Sequence, residues 1–106
     1  MQEKRRHFRK HVSLDVEFNV GEGARQSGVC RDFSLGGLHV ETLTPAPFGA
    51  NVTIYLRLKG ASSVSSLPGI VRWVKQGSMG VQFGLLGARE TYAITEMLAE
   101  SLPPGG

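Results

Sequence analysis

Between positions 12 and 20 the chain alternates apolar and polar residues without a break. Val12, Leu14, Val16, Phe18 and Val20 are separated by Ser13, Asp15, Glu17 and Asn19. Successive side chains of a β-strand point to opposite faces, so this period of two writes one dry face and one wet face. The segment is therefore a half-buried strand. The same alternation returns in Leu38, Val40 and Thr42 against His39 and Glu41. It returns again in Val52, Ile54, Leu56 and Leu58 against Thr53, Tyr55, Arg57 and Lys59. Less regular strands are predicted over 29–33, 70–75 and 80–83.

Turn signals separate these strands: Gly21-Glu22-Gly23, Ser34-Leu35-Gly36-Gly37, the Pro45/Pro47 loop closed by Phe48-Gly49, the Gly/Ser-rich stretch 60–66, and Gly77-Ser78. Six short strands with tight turns, in a chain holding 14 glycines, predict a closed or nearly closed antiparallel barrel or sandwich. From Ala88 the period changes. Ile94, Met97, Leu98 and Leu102 repeat at three and four residues, which predicts an amphipathic helix over 88–102 packed on the barrel. Pro103-Pro104-Gly105-Gly106 ends it. There is no internal repeat and no linker, so residues 1–106 are expected to form one domain: an arm over 1–11, a barrel over 12–87 and the helix.

One core is all that 106 residues can build, which leaves little room for a deep catalytic cleft. The only cysteine, Cys30, excludes an internal disulfide and suits a reducing compartment. No leader-like segment and no membrane-length apolar run is visible. The expected location is the cytoplasm. Cys30 is expected in the core, Phe33 and Leu35 as packing residues, and Trp73 in the core or against the helix, with a partner-facing role as the alternative. His7, His11 and His39 lack metal-ligand spacing. No nucleophile elbow, Walker A or dinucleotide-binding glycine pattern occurs, and no acid/base constellation suggests an enzyme. No metal and no cofactor is expected.

Charge is where the chain departs from the ordinary. The net charge is +3, and five of the twelve Lys and Arg residues (Lys4, Arg5, Arg6, Arg9, Lys10) fall in the first ten positions. That arm favours an anionic partner. A guanidinium presents a planar fork of donors that can grip a phosphate or the O6/N7 edge of guanine. A solvated basic tail is the plainer alternative. The second feature is Asp32-Phe33-Ser34-Leu35-Gly36-Gly37. Asp32 can accept from the N1–H and N2–H₂ of a guanine, Ser34 adds a small donor, and Gly36 and Gly37 let backbone approach a ligand closely. Asp, Ser and Gly are also ordinary turn residues, so the motif alone leaves both readings open.

Taken in order, Arg5-x-x-x-Arg9 ahead of a six-strand pattern and Asp32-x-Ser34-x-x-Gly37 some two dozen residues later resemble the PilZ family. The strand 52–58, the run Gly69-Ile70-Val71-Arg72-Trp73 and Gly80-Val81-Gln82-Phe83 before a terminal helix agree with it, over roughly 4–102. The resemblance implies a six-stranded antiparallel PilZ-type β-barrel with a C-terminal α-helix and a flexible basic N-terminal arm. It also implies cyclic di-GMP as the ligand. Arg5 and Arg9 would grip phosphates and guanines, with Arg6 in support, while Asp32, Ser34, Gly36 and Gly37 would meet the ligand from the barrel. The expected role is a bacterial second-messenger receptor whose arm rearranges to regulate a partner protein or a fused domain, in processes such as motility or biofilm formation. A PilZ-like interaction module that binds no nucleotide is the alternative. A nucleic-acid partner is not expected, since no aromatic stacking platform is evident.

Overall fold

The computed structural model of the chain describes residues 10–57 and 64–99. Six strands and one helix follow in order: β1 (Lys10–Val20), β2 (Gln26–Phe33), β3 (Gly37–Glu41), β4 (Asn51–Leu56), β5 (Ser65–Lys75), β6 (Ser78–Phe83) and α1 (Ala88–Ala99). Every pairing is antiparallel, and the strands close into a barrel in the order β1-β2-β3-β6-β5-β4. Closure leaves no sheet edge to pair with another chain. The expected barrel-plus-helix architecture is the one observed.

The alternation that announced the strands fills the interior. Phe18, Val40, Ile54, Leu67, Val71 and Met79 are fully buried. The helix packs through Ile94, Met97 and Leu98, as its spacing predicts; Leu102 lies outside the described residues. Ile94 and Met97 face barrel residues including Leu14, Cys30, Phe33 and Leu56. Lys10 Nζ donates to the Met97 carbonyl at 3.1 Å, which ties the first described residue to the end of the helix. Cys30 is buried, and Phe33 and Leu35 pack on the core as expected.

Two strands run further than their patterns suggested. β2 starts at Gln26, and β5 begins at Ser65 and includes Pro68 and Gly69. A proline lacks the amide donor a ladder needs and usually demotes a strand. Here Pro68 opposes Thr53 on β4, and its carbonyl accepts from the Gly84 amide at 2.8 Å.

Three register shifts interrupt the ladders: His11/Leu14 in β1, Cys30/Asp32 in β2 and Val71/Trp73 in β5. Each inserts residues on one strand that its partner does not match, and so resets which side chains face outward. The second and third build the site.

Candidate functional site

Along β2, Cys30 faces the core, and an unbroken strand would send Asp32 the same way. The extra residue at Arg31 changes this: Cys30 opposes Val40 and Asp32 opposes His39. Phe33 takes the core position, and Asp32 turns to the outer surface with its side chain 18% exposed. In β5, Leu67 and Val71 are buried, and Trp73 shares their parity. The shift at Arg72 pairs Val71 with Val81 and Trp73 with Gly80, and leaves Trp73 on the outer face at 38% exposure. Trp73 is thus neither a core residue nor a contact buried under the helix. An extra backbone residue, invisible to periodicity, overturns that expectation.

Register then links the two irregular strands. Asp32 opposes His39, His39 opposes Gly80, and Gly80 opposes Trp73. Cross-strand partners share a face, so these four residues form one row across β2, β3, β6 and β5 on the outside of the barrel. His39 Nδ1 lies 3.5 Å from Asp32 Oδ2. Its ring meets the Trp73 indole edge to face, with centroids 5.2 Å apart and planes at 61°, a favoured aromatic geometry. His39 Nε2 is buried with no hydrogen-bond partner among the described residues. Lys75 Nζ sits 5.4 Å from the Trp73 ring centroid.

The row borders a cleft of about 320 Å³, walled by Ser34, His39, Arg72, Trp73 and Gln82 above a floor that contains Gly37 and Gly80. Both glycines are required by close approach. A methyl group on Gly80 would overlap the Trp73 indole nitrogen, and one on Gly37 would overlap the Val81 carbonyl oxygen. Asp32 stands at the margin, one strand beyond His39. On the far wall Arg72 Nε donates to Gln82 Oε1 at 2.7 Å, which holds one face of the guanidinium.

The turn between β2 and β3 is built by its own motif. Ser34 N–H donates to the Gly37 carbonyl at 2.8 Å, the Gly36 amide donates to Ser34 Oγ at 3.1 Å, and Phe83 N–H donates to the Gly36 carbonyl at 2.8 Å. Ser34 is only 1% exposed, so its hydroxyl shapes the turn as well as lining the cleft. Asp32, Ser34, Gly36 and Gly37 are therefore brought together at one end of the cleft. Arg5, Arg6 and Arg9 lie outside the described residues. His39, Arg72, Trp73, Gly80 and Gln82 were not singled out from the sequence as site residues. Arg72, Trp73, Gly80 and Gln82 lie in the runs 69–73 and 80–83, whose agreement with the family pattern was the signal for them; His39 had none.

A second concavity of about 480 Å³ lies over β1, β2 and β4. Its charges answer one another: Arg25 stands 3.2 Å from Glu17 and stacks over the Tyr55 ring at 3.7 Å. Among the described residues no group of three His, Cys, Asp or Glu side chains is arranged to hold a metal ion, and no helix is long and apolar enough to cross a membrane.

A six-stranded closed barrel with a terminal helix, carrying Asp32-x-Ser34-x-x-Gly37 on an outer turn, matches the sequence model of the PilZ domain over residues 3–99. The chain belongs to the PilZ domain family. Solved PilZ structures superpose on it at low sequence identity. The PilZ domain of CeSA from a cellulose-synthesizing bacterium aligns with a TM-score of 0.72 at 21% identity, covering 88% of this chain and 96% of that one. The PilZ domain of YcgR from Escherichia coli, solved with cyclic di-GMP, aligns at 0.75 and 13% identity, covering 93% and 92%. The Bacillus subtilis inhibitor of motility MotI/DgrA aligns at 0.74 and 18% identity; this chain is 93% covered and spans 51% of that protein. No curated protein matches the chain in sequence.

Proposed function

We propose that this PilZ domain is a cytoplasmic receptor for cyclic di-GMP, which it binds without catalysis. The observation that carries the reading is the outer row Asp32–His39–Gly80–Trp73 beside the Ser34–Gly37 turn. It supplies an acceptor for a guanine donor edge, a floor without side chains for a planar base, and an indole for that base to lie against. The YcgR domain with the same fold was solved with cyclic di-GMP. In this reading Asp32 accepts from the guanine N1–H and N2–H₂. Ser34, Gly36 and Gly37 bring turn and backbone groups up to the ligand, and Arg5, Arg6 and Arg9 close over its phosphates and guanine edges.

Binding then acts as a switch. Ordering a basic segment costs on the order of 2–5 kcal/mol, and each charge-assisted contact returns about 1.5–3 kcal/mol. Several contacts outweigh that cost and leave binding of roughly micromolar strength, near −8 kcal/mol. The folded arm presents a new surface to a regulatory partner protein or a neighbouring domain.

Isothermal titration with cyclic di-GMP tests the reading. The wild type should bind, and Asp32→Ala and Arg9→Ala should each abolish measurable heat while their thermal midpoints stay close to the wild type's. No heat from the wild type at high micromolar ligand would sink the receptor reading and favour a PilZ domain used only for protein contact.

A further inference from the structure

Arg72 sits at a backbone irregularity that brings Trp73 out beside it at the cleft. Val71 opposes Val81 and Trp73 opposes Gly80, so Arg72 is the extra residue of a bulge in β5. Bulges re-aim side chains and are over-represented beside functional sites. In an unbroken strand Arg72 and Trp73 would face opposite ways; here both are exposed and both line the cleft. The guanidinium is also braced. Its Nε–H is spent on Gln82 Oε1 at 2.7 Å, and Gln82 lines the same cleft. An arginine held in place loses less side-chain freedom when it grips a ligand. Four N–H donors remain in its terminal fork. Among the described residues no other Lys or Arg lines this cleft.

Guanine has two unlike edges. N1–H and N2–H₂ are donors, whereas O6 and N7 are a pair of acceptors that suits an arginine fork. Asp32 on β2 answers the first edge. Arg72 on β5 stands three strands away, roughly 14 Å across the sheet at the usual strand spacing. A carboxylate at one margin and a guanidinium at the other therefore suit the two edges of one base lying over Gly37 and Gly80. Adenine fails at both: its 6-amino group turns a donor toward the guanidinium, and it lacks the N1–H that Asp32 would accept.

We infer that Arg72, braced by Gln82, reads the O6/N7 edge of a guanine in this cleft and so helps set its selectivity for guanine over adenine; the inference rests on the cyclic di-GMP reading above. The test is calorimetric titration of the full chain as wild type, Arg72→Gln, Arg72→Lys and the exposed control Arg89→Gln. Each is titrated with cyclic di-GMP and with its 7-deazaguanine analogue, which keeps the phosphates and lacks N7. Arg72→Gln weakens cyclic di-GMP binding on the order of 10- to 100-fold. Arg72→Lys loses nearly as much, since an ammonium has no fork, and Arg89→Gln stays within about two-fold. The analogue costs the wild type clearly more affinity than it costs Arg72→Gln, because the variant has already lost this one N7 contact.

An Arg72→Gln variant that binds cyclic di-GMP like the wild type overturns the assignment. So does one that loses equally with both ligands, which would make Arg72 a phosphate contact. A wild type that gives no heat overturns the receptor reading and this assignment together; a binding wild type with an indifferent Arg72→Gln overturns this assignment alone. Unchanged thermal midpoints for the variants separate lost contacts from lost folding.

Discussion

Gly37→Ala and Gly80→Ala add the same methyl group to the same cleft floor and should have opposite consequences. At Gly37 the methyl would overlap the Val81 carbonyl oxygen and come within 3.1 Å of Gln82 Cα, all of it backbone of the strand that Gly37 pairs with. Nothing there can rotate away, so β3 and β6 must separate. Weakening two flanking ladder hydrogen bonds at about 1 kcal/mol each, with some loss of core contact, puts the cost at about 2–3 kcal/mol, in the usual range for overpacking. For a domain of this size that is a fall in thermal midpoint of roughly 10 °C. At Gly80 the three nearest atoms all belong to the Trp73 indole, a side chain 38% exposed that can give way toward solvent where backbone cannot. Uncovering on the order of 40 Å² of ring costs about 1 kcal/mol. Replacing a strand glycine by alanine returns roughly 0.5–1 kcal/mol. Stability should therefore stay within about 1 kcal/mol of the wild type, while the cleft loses its indole wall. Trp73 is the sole tryptophan, so intrinsic fluorescence reports the movement directly. Thermal melts should show a large loss for Gly37→Ala only, and emission should shift to the red for Gly80→Ala only. Equal stability losses, or a Gly80→Ala protein with unchanged emission and ligand affinity, would refute the reasoning.

Other substitutions separate scaffold from site. Phe18→Ala empties a fully buried core position and should cost about 3–5 kcal/mol in guanidinium unfolding. Ser34→Ala removes the acceptor of the Gly36 amide from a nearly buried turn; it should cost about 1–2 kcal/mol and weaken cyclic di-GMP binding, both measurable on one sample. Lys10→Ala removes the ammonium that reaches the Met97 carbonyl near the end of α1, with an expected loss of about 0.3–1 kcal/mol by thermal melt. Glu17→Gln, which breaks an exposed pair with Arg25, should change the same melt by less than about 1 kcal/mol.

How much of this was legible in the sequence depends on how local the cause is. The alternation around Phe18 and Ile54 and the spacing of Ile94, Met97 and Leu98 are local patterns with one physical meaning, and they led to a barrel and a packed helix. The Asp32–Gly37 turn was legible because its geometry is made by its own side chain and backbone bonds. Trp73 was not. Its outward orientation comes from one extra residue in β5, and whether a strand absorbs such a residue is decided by its pairing with β6 across the Gln76-Gly77 turn, not by its own alternation. The length of β5 was hidden for a similar reason: Pro68, which lacks a ladder donor, is held in the strand by pairing with Thr53 and by the Gly84 N–H that reaches its carbonyl, contacts that no local pattern specifies. His39 joins the site through register, which no single strand specifies alone.

The most direct test of the receptor reading is to follow backbone amide and indole resonances of labelled protein as cyclic di-GMP is added. Shifts should concentrate on Asp32, the Ser34–Gly37 turn, His39, Gly80 and the Trp73 indole N–H. The face carrying Glu17, Arg25 and Tyr55 should stay still. Shifts centred on that second face, or none at saturating ligand, would contradict the receptor reading.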